Sequence, residues 1–367
     1  MCFFKYNFKH MNVLSLFDGI SCGQIALTRA NVEYSNYYAS EIDTHAIQVT
    51  QHNFPNTKQL GNVLNINGKD LPKIDLLIGG SPCQSFSRAG KGEGFDGSSK
   101  LFWEFVRIMN ETKPTYFLLE NVKMKQEWRD IITKEMGVKP VLINSKLFSA
   151  QSRERLYWTN INFNELPEYN AEVLADVLCM NIINKREEKI ITSKANFKVK
   201  VRKNFIEKLD LARYLKSYKN KSLREVAEYC NAPKTMVEHW FRLDSSFSIP
   251  QEEYWFKLKE CLNITDTTYD KSVMEFEIKD NTFDMAKRVY HIDGKHPTLT
   301  TLTTGSRPTL TNGTDTFCIT PEHCEKLQTL PIGYTDLASD RQRFKMIGNG
   351  WTVDVIAHIL KGIINKN

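Results

Sequence analysis

From residue 12 onward, short apolar runs alternate with longer stretches whose apolar positions recur every three or four residues. NVLSLF (12–17), YYASE (37–41), IDLLIGG (74–80) and TYFLLEN (115–121) are of the first kind. SCGQIALTRA (21–30), DTHAIQVTQHNF (43–54) and SKLFWEFVRIMNET (99–112) are of the second. Continuous apolar runs fit strands buried on both faces, and the periodic stretches fit helices that cover them. The alternation predicts an α/β fold, a Rossmann-like, mostly parallel sheet with helices on both faces.

The rhythm then stops. Residues 165–285 are polar, basic and irregular, apart from SLREVAEYCNAPKTMVEHWF (222–241). There Val226 and Ala227 fall in a first helix, Asn231–Pro233 in a turn, and Val237 and Trp240 on the inner face of a second helix. That is helix-turn-helix spacing, and it would expose Lys234, Thr235, Glu238 and His239 as groove readers. A plain helical hairpin packed on the protein has the same spacing. HPTLTTLTTGSRPTLTNG (296–313) reads as loop with short strands, and MIGNGWTVDVIAHILKGI (346–363) as a Gly-Asn-Gly turn leading into an amphipathic helix. The expected domains are 1–165, a smaller one over 166–330 with the helical insert near 222–262, and a segment 331–367 that returns to the first. Within it, 340–367 is expected beside the strand at 12–17.

The chain has 367 residues, enough for a large core and about two domains. No apolar run approaches the ~20 residues of a membrane span, and MCFFKYNFKH is too short and polar for a signal peptide. Met11 reads as a second start, with residues 1–10 a start-site extension. The cysteines, at 2, 22, 83, 179, 230, 261, 318 and 324, form no CxxC pair, which argues against a zinc ribbon or a thioredoxin-type site. No metal is expected, and a reducing cytoplasm fits best. Net charge is +6, but residues 185–224 hold 14 Lys/Arg against 4 Asp/Glu, a local +10. Such a segment suits a polyanionic partner or forms a solvated face.

GGSPCQSFSRAG (79–90) presents a thiol directly after a proline, in a loop that follows a strand. In an open α/β sheet that loop is where ligands bind, and Pro82 stiffens the turn, so Cys83 reads as a reactive thiol. Other features are weaker singly. Gly19 and Gly23 lie between the first strand and its helix, where backbone can approach a cofactor. Glu41 ends the second strand, in place for ribose hydroxyls. Glu120 and Asn121 end the strand TYFLLEN. Arg153 and Arg155 in QSRERLYW share a face if that stretch is extended.

In order along the chain stand FDGISCG, EID, GNV, GGSPCQ, ENV, QSRER, a long variable region, ITPEHCEKLQTLP and IGNGWTVDV. This series resembles the DNA cytosine-5 methyltransferases over nearly the whole chain. Ser-Pro-Cys-Gln, Glu-Asn-Val and Gln-x-Arg-x-Arg in that order are highly specific together. The ending GNGWTV is most similar to phage-type members and the vertebrate de novo branch. Two positions depart from the family: Gly61-Asn62 replaces Gly-Asp, and Glu322-His323 follows Pro321 where the family carries arginine.

The resemblance implies an S-adenosylmethionine cofactor, with Phe17 on the adenine, the backbone around Gly19, Ile20 and Gly23 on the methionine end, Glu41 on the ribose and Asn62 on the adenine. Ile42, Val63 and Pro82 join them, and Asn349 and Val353 close the pocket. Cys83 is then the nucleophile, Glu120 the acid, and Arg155 with Arg153 the holders of cytosine and Glu120. Gln84, Ser85 and Ser87 would face the DNA. A thiolate on C6 makes C5 nucleophilic and can leave again, a carboxylic acid at N3 relieves the charge, and a base inside a duplex must flip out to be reached. The loop 84–99, with four glycines, could close over it. The implied partner is duplex DNA, the implied state a monomer, and a companion restriction endonuclease stays open.

Three rival readings exist. Transfer-RNA methylases of this fold carry Cys-Phe-Thr and a short variable region, whereas this chain has Phe317-Cys318-Ile319-Thr320 and a long one. A non-catalytic DNA-binding regulator would not retain Cys83, Glu120 and Arg155 together. A thiol oxidoreductase would need a second cysteine near Cys83.

Overall fold

The computed structural model describes residues 11–82, 101–168, 170–178, 198–202, 208–244, 246–273, 275–279, 289–301, 308–312 and 316–364. They form two compact units, one of residues 1–171, 297–304 and 320–367, the other of 172–296 and 305–319. Residues 297–304 and 320–330 thus group with the first unit, not with the stretch 166–330 that the sequence puts together.

The first unit opens with β1 (Asn12–Leu16), α1 (Cys22–Arg29), β2 (Asn36–Ser40), α2 (Thr44–Asn53), β3 (Lys58–Gln59) and β4 (Leu76–Gly80). Then come α3 (Phe102–Thr112), β5 (Tyr116–Val122), α4 (Gln126–Met136), β6 (Val141–Asn144) and β7 (Glu154–Thr159). The strands make one sheet in the order β3-β2-β1-β4-β5-β7-β6. All run parallel except β7, which is antiparallel to both its neighbours. The apolar runs are buried as a central parallel sheet requires: Leu14, Leu16, Leu77 and Leu119 meet Phe102, Phe105 and Ile108 of α3, all at 0% exposure. Each such side chain contributes about 1.5–3 kcal/mol. Trp158 is also fully buried, and its indole N–H donates to the Thr133 hydroxyl at 3.0 Å, so no polar group is stranded.

The second unit contains α5 (Leu174–Leu178), β8 (Lys198–Arg202), α6 (Lys208–Ser217), α7 (Leu223–Cys230), α8 (Lys234–Trp240), α9 (Glu252–Leu262) and α10 (Asp270–Val273). It continues with β9 (Glu275–Lys279), β10 (Val289–His291), β11 (Thr309–Thr311) and β12 (Thr316–Cys318). Its helices enclose a core of their own, with Leu211 and Leu215, Val226 and Cys230, Val237 and Trp240, and Trp255 and Leu258 meeting inside. β8 pairs antiparallel with β9, in a register that sets Lys200 opposite Glu277 and Arg202 opposite Glu275.

The chain ends in the first unit with α11 (Pro321–Leu327), α12 (Asp340–Asn349) and α13 (Val353–Leu360). α13 packs against α1, the helix that follows β1, and Arg29 bonds Asp354 at 2.7 Å between them. The sequence places a turn at Gly348-Asn349-Gly350, but α12 runs through Asn349 and the break falls at Gly350–Thr352. Gly348 is needed inside the helix because a Cβ there would collide with the Thr300 carbonyl oxygen.

The departure at Glu322-His323 has a structural answer. His323 closes a capping box with Thr320 at the start of α11. Glu322 accepts from Arg343 of α12 at 2.6 Å. Arg343 also bonds Glu325 at 3.1 Å and Asp336 at 2.8 Å, and both Arg343 and Glu325 are buried. Breaking a buried pair from one side strands the other charge. Arg343→Met should therefore destabilise the protein by about 3–5 kcal/mol, read as a lower midpoint in urea unfolding.

Candidate active site

The loop from β1 to α1 passes through the left-handed region three times, at Phe17 (φ 57°), Gly19 (φ 59°) and Ser21 (φ 59°). Glycine adopts this freely; for a bulky residue such as phenylalanine it is strain of order 1–3 kcal/mol. Hydrogen bonds hold the loop in place. The Asp18 amide donates to the Ser40 carbonyl at 3.1 Å, and the Gly19 amide to Glu41 Oε2 at 2.8 Å. A Cβ at Gly19 would meet nothing within 4 Å, so the backbone there is open to approach. Ile20 is buried. Gly23 answers a packing constraint as well. A Cβ on it would lie 2.6 Å from Ile78 Cδ1 and 2.7 Å from the Tyr37 hydroxyl, so it lets α1 press on the sheet.

Glu41 follows β2 directly. Besides Gly19, it accepts the amides of Ile42 at 2.7 Å and Asp43 at 2.9 Å, both on Oε1. A carboxylate has about four acceptor positions, so Oε2 keeps room for one more donor. Asn62 follows β3 and spends its Oδ1 on the Leu64 amide at 3.0 Å. The ends of these adjacent parallel strands leave two apolar side chains in solvent, Ile42 at 69% exposure and Leu64 at 58%. Val63 is buried in the core, and Leu64 takes the outward position.

Asp18 is the second missed residue. The Tyr37 hydroxyl donates to its Oδ1 at 2.7 Å, while its Oδ2 is buried with no partner. Burial pushes its carboxyl up to about 6, with neighbouring hydroxyls partly offsetting this.

β4 and β5 bring the next group together. Gly80 lies opposite Glu120 in register. Glu120 is buried; its Oε1 receives Arg155 Nε at 2.9 Å and its Oε2 receives the Trp351 indole N–H at 3.1 Å. On the next residue, Asn121 Nδ2 donates to the Ser81 hydroxyl at 3.0 Å, which fixes the backbone just ahead of half-buried Pro82. Cys83, Gln84, Ser85 and Ser87 lie outside the described residues.

The two arginines part company. Arg153, expected at Glu120 with Arg155, precedes β7 and points its guanidinium at backbone carbonyls instead, those of Leu299 at 3.0 Å, Gly348 at 3.2 Å and Gly350 at 3.1 Å. Gln151 and Gln328 extend this bonding: they bond each other at 3.0 Å, Gln151 accepts the Leu299 amide at 2.8 Å, and Gln328 donates to the Ile347 and Gly350 carbonyls at 2.9 and 3.0 Å. Together they hold the segment carrying Trp351. Asn349 is exposed at the end of α12, whereas Val353 is fully buried in α13 and bonds the Gln328 carbonyl through its amide.

Cys22 and Cys230 fit packing better than chemistry. Burial pushes the Cys22 thiol up to about 12 and the Cys230 thiol up to about 11. A thiol held protonated in this way is inert.

In the second unit, α7 starts at a capping box between Ser222 and Glu225, and Asn231 ends it in the left-handed conformation (φ 53°). Pro233 then starts α8. Lys234 and Thr235 are exposed as expected of readers. Glu238 and His239 are half-buried, and His239 Nδ1 sits 2.8 Å from the Ser246 carbonyl oxygen, so the outward face is narrower than the sequence suggests.

The family pattern of C-5 cytosine-specific DNA methylases matches residues 11–365. The orphan methyltransferase M.Rho11sI of Bacillus phage rho11s is 30% identical over 345 residues, covering 81% of this chain and 68% of that protein. The Type II methyltransferase M1.ScrFI of Lactococcus lactis subsp. cremoris is 34% identical over 176 residues, covering 43% of each. Among solved structures, the Entamoeba histolytica methyltransferase EhMeth aligns with a TM-score of 0.58 over 97% of this chain and 98% of that one, at 15% identity. The S. pombe Dnmt2 methyltransferase aligns with 0.51 over 97% and 99%, at 14%. At such identities the structures speak for the fold. No helix among the described residues is long and apolar enough to cross a membrane.

Asp18 yields a test of pH dependence. With its carboxyl raised from 3.8 to about 6, the folded state holds a proton that the unfolded chain releases, so stability falls as pH rises through that window. Asp18→Asn keeps an acceptor for Tyr37 and removes this cost. Urea unfolding should show it about 2 kcal/mol more stable than the parent at pH 7, with the gain gone at pH 3.

Proposed function

The chain belongs to the C-5 cytosine-specific DNA methylase family, and on that premise we propose that Cys83, Glu120 and Arg155 methylate C5 of a cytosine flipped out of duplex DNA. The observation that carries these roles is the pairing of Glu120 with Arg155 opposite Gly80, on the strand that leads through Ser81 and Pro82 into Cys83. An acid and a cation at that edge suit a base that must accept a proton while a thiolate adds to it.

Cys83 forms a bond from sulfur to C6, and Glu120 supplies a proton at N3 so that charge does not accumulate on the ring. C5 then takes the methyl group, the C5 proton leaves to solvent, and the sulfur departs as thiolate by elimination while N3 returns its proton to Glu120. S-adenosylmethionine, when bound, supplies the electrophilic methyl group. The β1–α1 loop fits such a molecule: Gly19 leaves the backbone open, Glu41 Oε2 can take a ribose hydroxyl, and Ile42 and Leu64 offer apolar surface to the adenine. The partnerless Oδ2 of Asp18 suits the cationic end. Arg155 grips Glu120 through Nε and spends Nη1 on the Glu154 carbonyl at 2.8 Å, and its Nη2 is the proposed contact to the base. Lys234, Thr235 and the basic stretch 185–224 are the proposed contacts to the duplex, Lys234 and the stretch to its phosphates.

Two measurements test this reading. Cys83→Ser should lose methyl transfer by about a thousandfold or more, because a serine hydroxyl is barely ionised, while still binding cofactor in calorimetry. Duplex with 5-fluorocytosine at the target should trap the parent covalently, since fluorine cannot leave as a cation. A Cys83→Ser protein that methylates at the parent rate would end the assignment. For the second unit, affinity should fall by about 0.9 log unit per log unit of salt for each phosphate neutralised. Replacing several lysines of 185–224 by alanine should flatten that slope; an unchanged slope would make the segment a solvated face.

A further inference from the structure

Trp351 takes no part in the chemistry described so far, yet its place is fixed from three directions. Its indole N–H reaches Glu120 Oε2 at 3.1 Å. Its neighbours are pinned: the Gly350 carbonyl accepts from Arg153 and Gln328, and the Thr352 hydroxyl donates to Gln328 Oε1 at 2.7 Å. On the third side is Gly80, where a Cβ would stand 2.8 Å from Glu120 Oε2 and 2.9 Å from Trp351 Nε1. The bond therefore passes over a residue that has to be glycine for the bond to exist. A contact placed by three buried partners and spared by a glycine is built into the fold.

An indole N–H can only donate, and so can a guanidinium. Glu120 thus has one donor on each oxygen, Arg155 on Oε1 and Trp351 on Oε2. Arg155 alone would leave the carboxyl group free to rotate about its last torsion, which is broad and nearly two-fold for a glutamate. A second donor on the other oxygen removes that freedom. It fixes the plane of the carboxyl group before a base arrives, which is what an acid acting at one ring nitrogen requires.

We propose that Trp351 is a positioning residue for Glu120, acting through its indole N–H and not through contact with the target base. This rests on the reading of Glu120 as the acid in the methyl transfer. Trp351→Phe keeps the aromatic ring and deletes only the donor. It should lower kcat by about 10- to 100-fold, the cost of a misplaced catalytic group, and leave KM for duplex DNA and the calorimetric affinity for S-adenosylmethionine within about twofold. Gly80→Ala attacks the same bond from the opposite side. If both act through it, the double variant should be no slower than the slower single variant.

A structural role alone would not produce the second readout. In protein labelled with nitrogen-15, the indole resonance that vanishes in Trp351→Phe should move in Glu120→Ala. The proposal is overturned if Trp351→Phe keeps the parent kcat, if its loss of rate follows a matching loss of cofactor affinity, if the two single effects multiply, or if that resonance ignores Glu120→Ala. Failure of the underlying reading is separable. A parent protein that 5-fluorocytosine duplex does not trap overturns the methyl-transfer roles, whereas normal trapping of both parent and Trp351→Phe at one rate overturns only the part given to Trp351.

Discussion

Gln151, Arg153, Gln328 and Thr352 are all buried, and each is bonded to another of the four or to a backbone carbonyl in between. A buried polar group left unpaired costs about 1–3 kcal/mol, so such a group of side chains tolerates one arrangement and penalises the rest. Its members come from the approach to β7, from the end of α11 and from the junction of α12 with α13. Residue 299 joins them through its amide and carbonyl. What they impose is the return of residues distant in sequence to the sheet edge where β4 and β5 end. Without that return, the carboxyl group of Glu120 would have Arg155 on one side and nothing built on the other.

The same arrangement explains the division of labour within Gln-x-Arg-x-Arg. The register of β7 against β5 places Arg155 opposite Val122, two residues past Glu120, within reach of its carboxyl group. Arg153 comes before the strand begins, and its guanidinium finds three carbonyl oxygens that no helix bond satisfies. One arginine is an electrostatic partner of the site; the other is scaffolding for its wall. Asn121 divides from Glu120 in a like manner, because successive residues of a strand face opposite ways. Glu120 points to Arg155 and Trp351, Asn121 to Ser81.

The α/β rhythm was legible because buried strands and their covering helices differ in period. The placing of Glu41 and Glu120 at strand ends was legible because each follows a short apolar run. The helical hairpin at 222–241 was legible from Val226, Val237 and Trp240, all of which are buried. What escaped depended on distant partners. Nothing near Arg153 in sequence announces carbonyl oxygens at 299, 348 and 350. Nothing near Gly23 in sequence announces that Ile78 and Tyr37 press against it. Val63 and Leu64 are equally apolar, and only the 3₁₀ turn beginning at Val63 decides which of them faces inward. His239 looked free because its partner, the Ser246 carbonyl, sits beyond the end of its own helix.

Glu322 departs from the family pattern, and the fold supplies it with a partner. Where the resemblance leads one to expect a cation after Pro321, the chain has an acid, and read by position alone that reverses the charge at the start of α11. In the fold the acid does not stand alone. Arg343, on the next helix, reaches it at 2.6 Å and also binds Glu325, which is fully buried and accepts the amides of Gly333 at 2.7 Å and Thr335 at 2.9 Å. Buried charges persist only when paired, so an acid at 322 can be carried because the cation comes from α12. That pairing joins α11 to α12, and α12 ends at Asn349, two residues before Trp351. An acid after Pro321 is thus accommodated by a cation from the next helix, and the packing that the pair secures ends at the wall of the site.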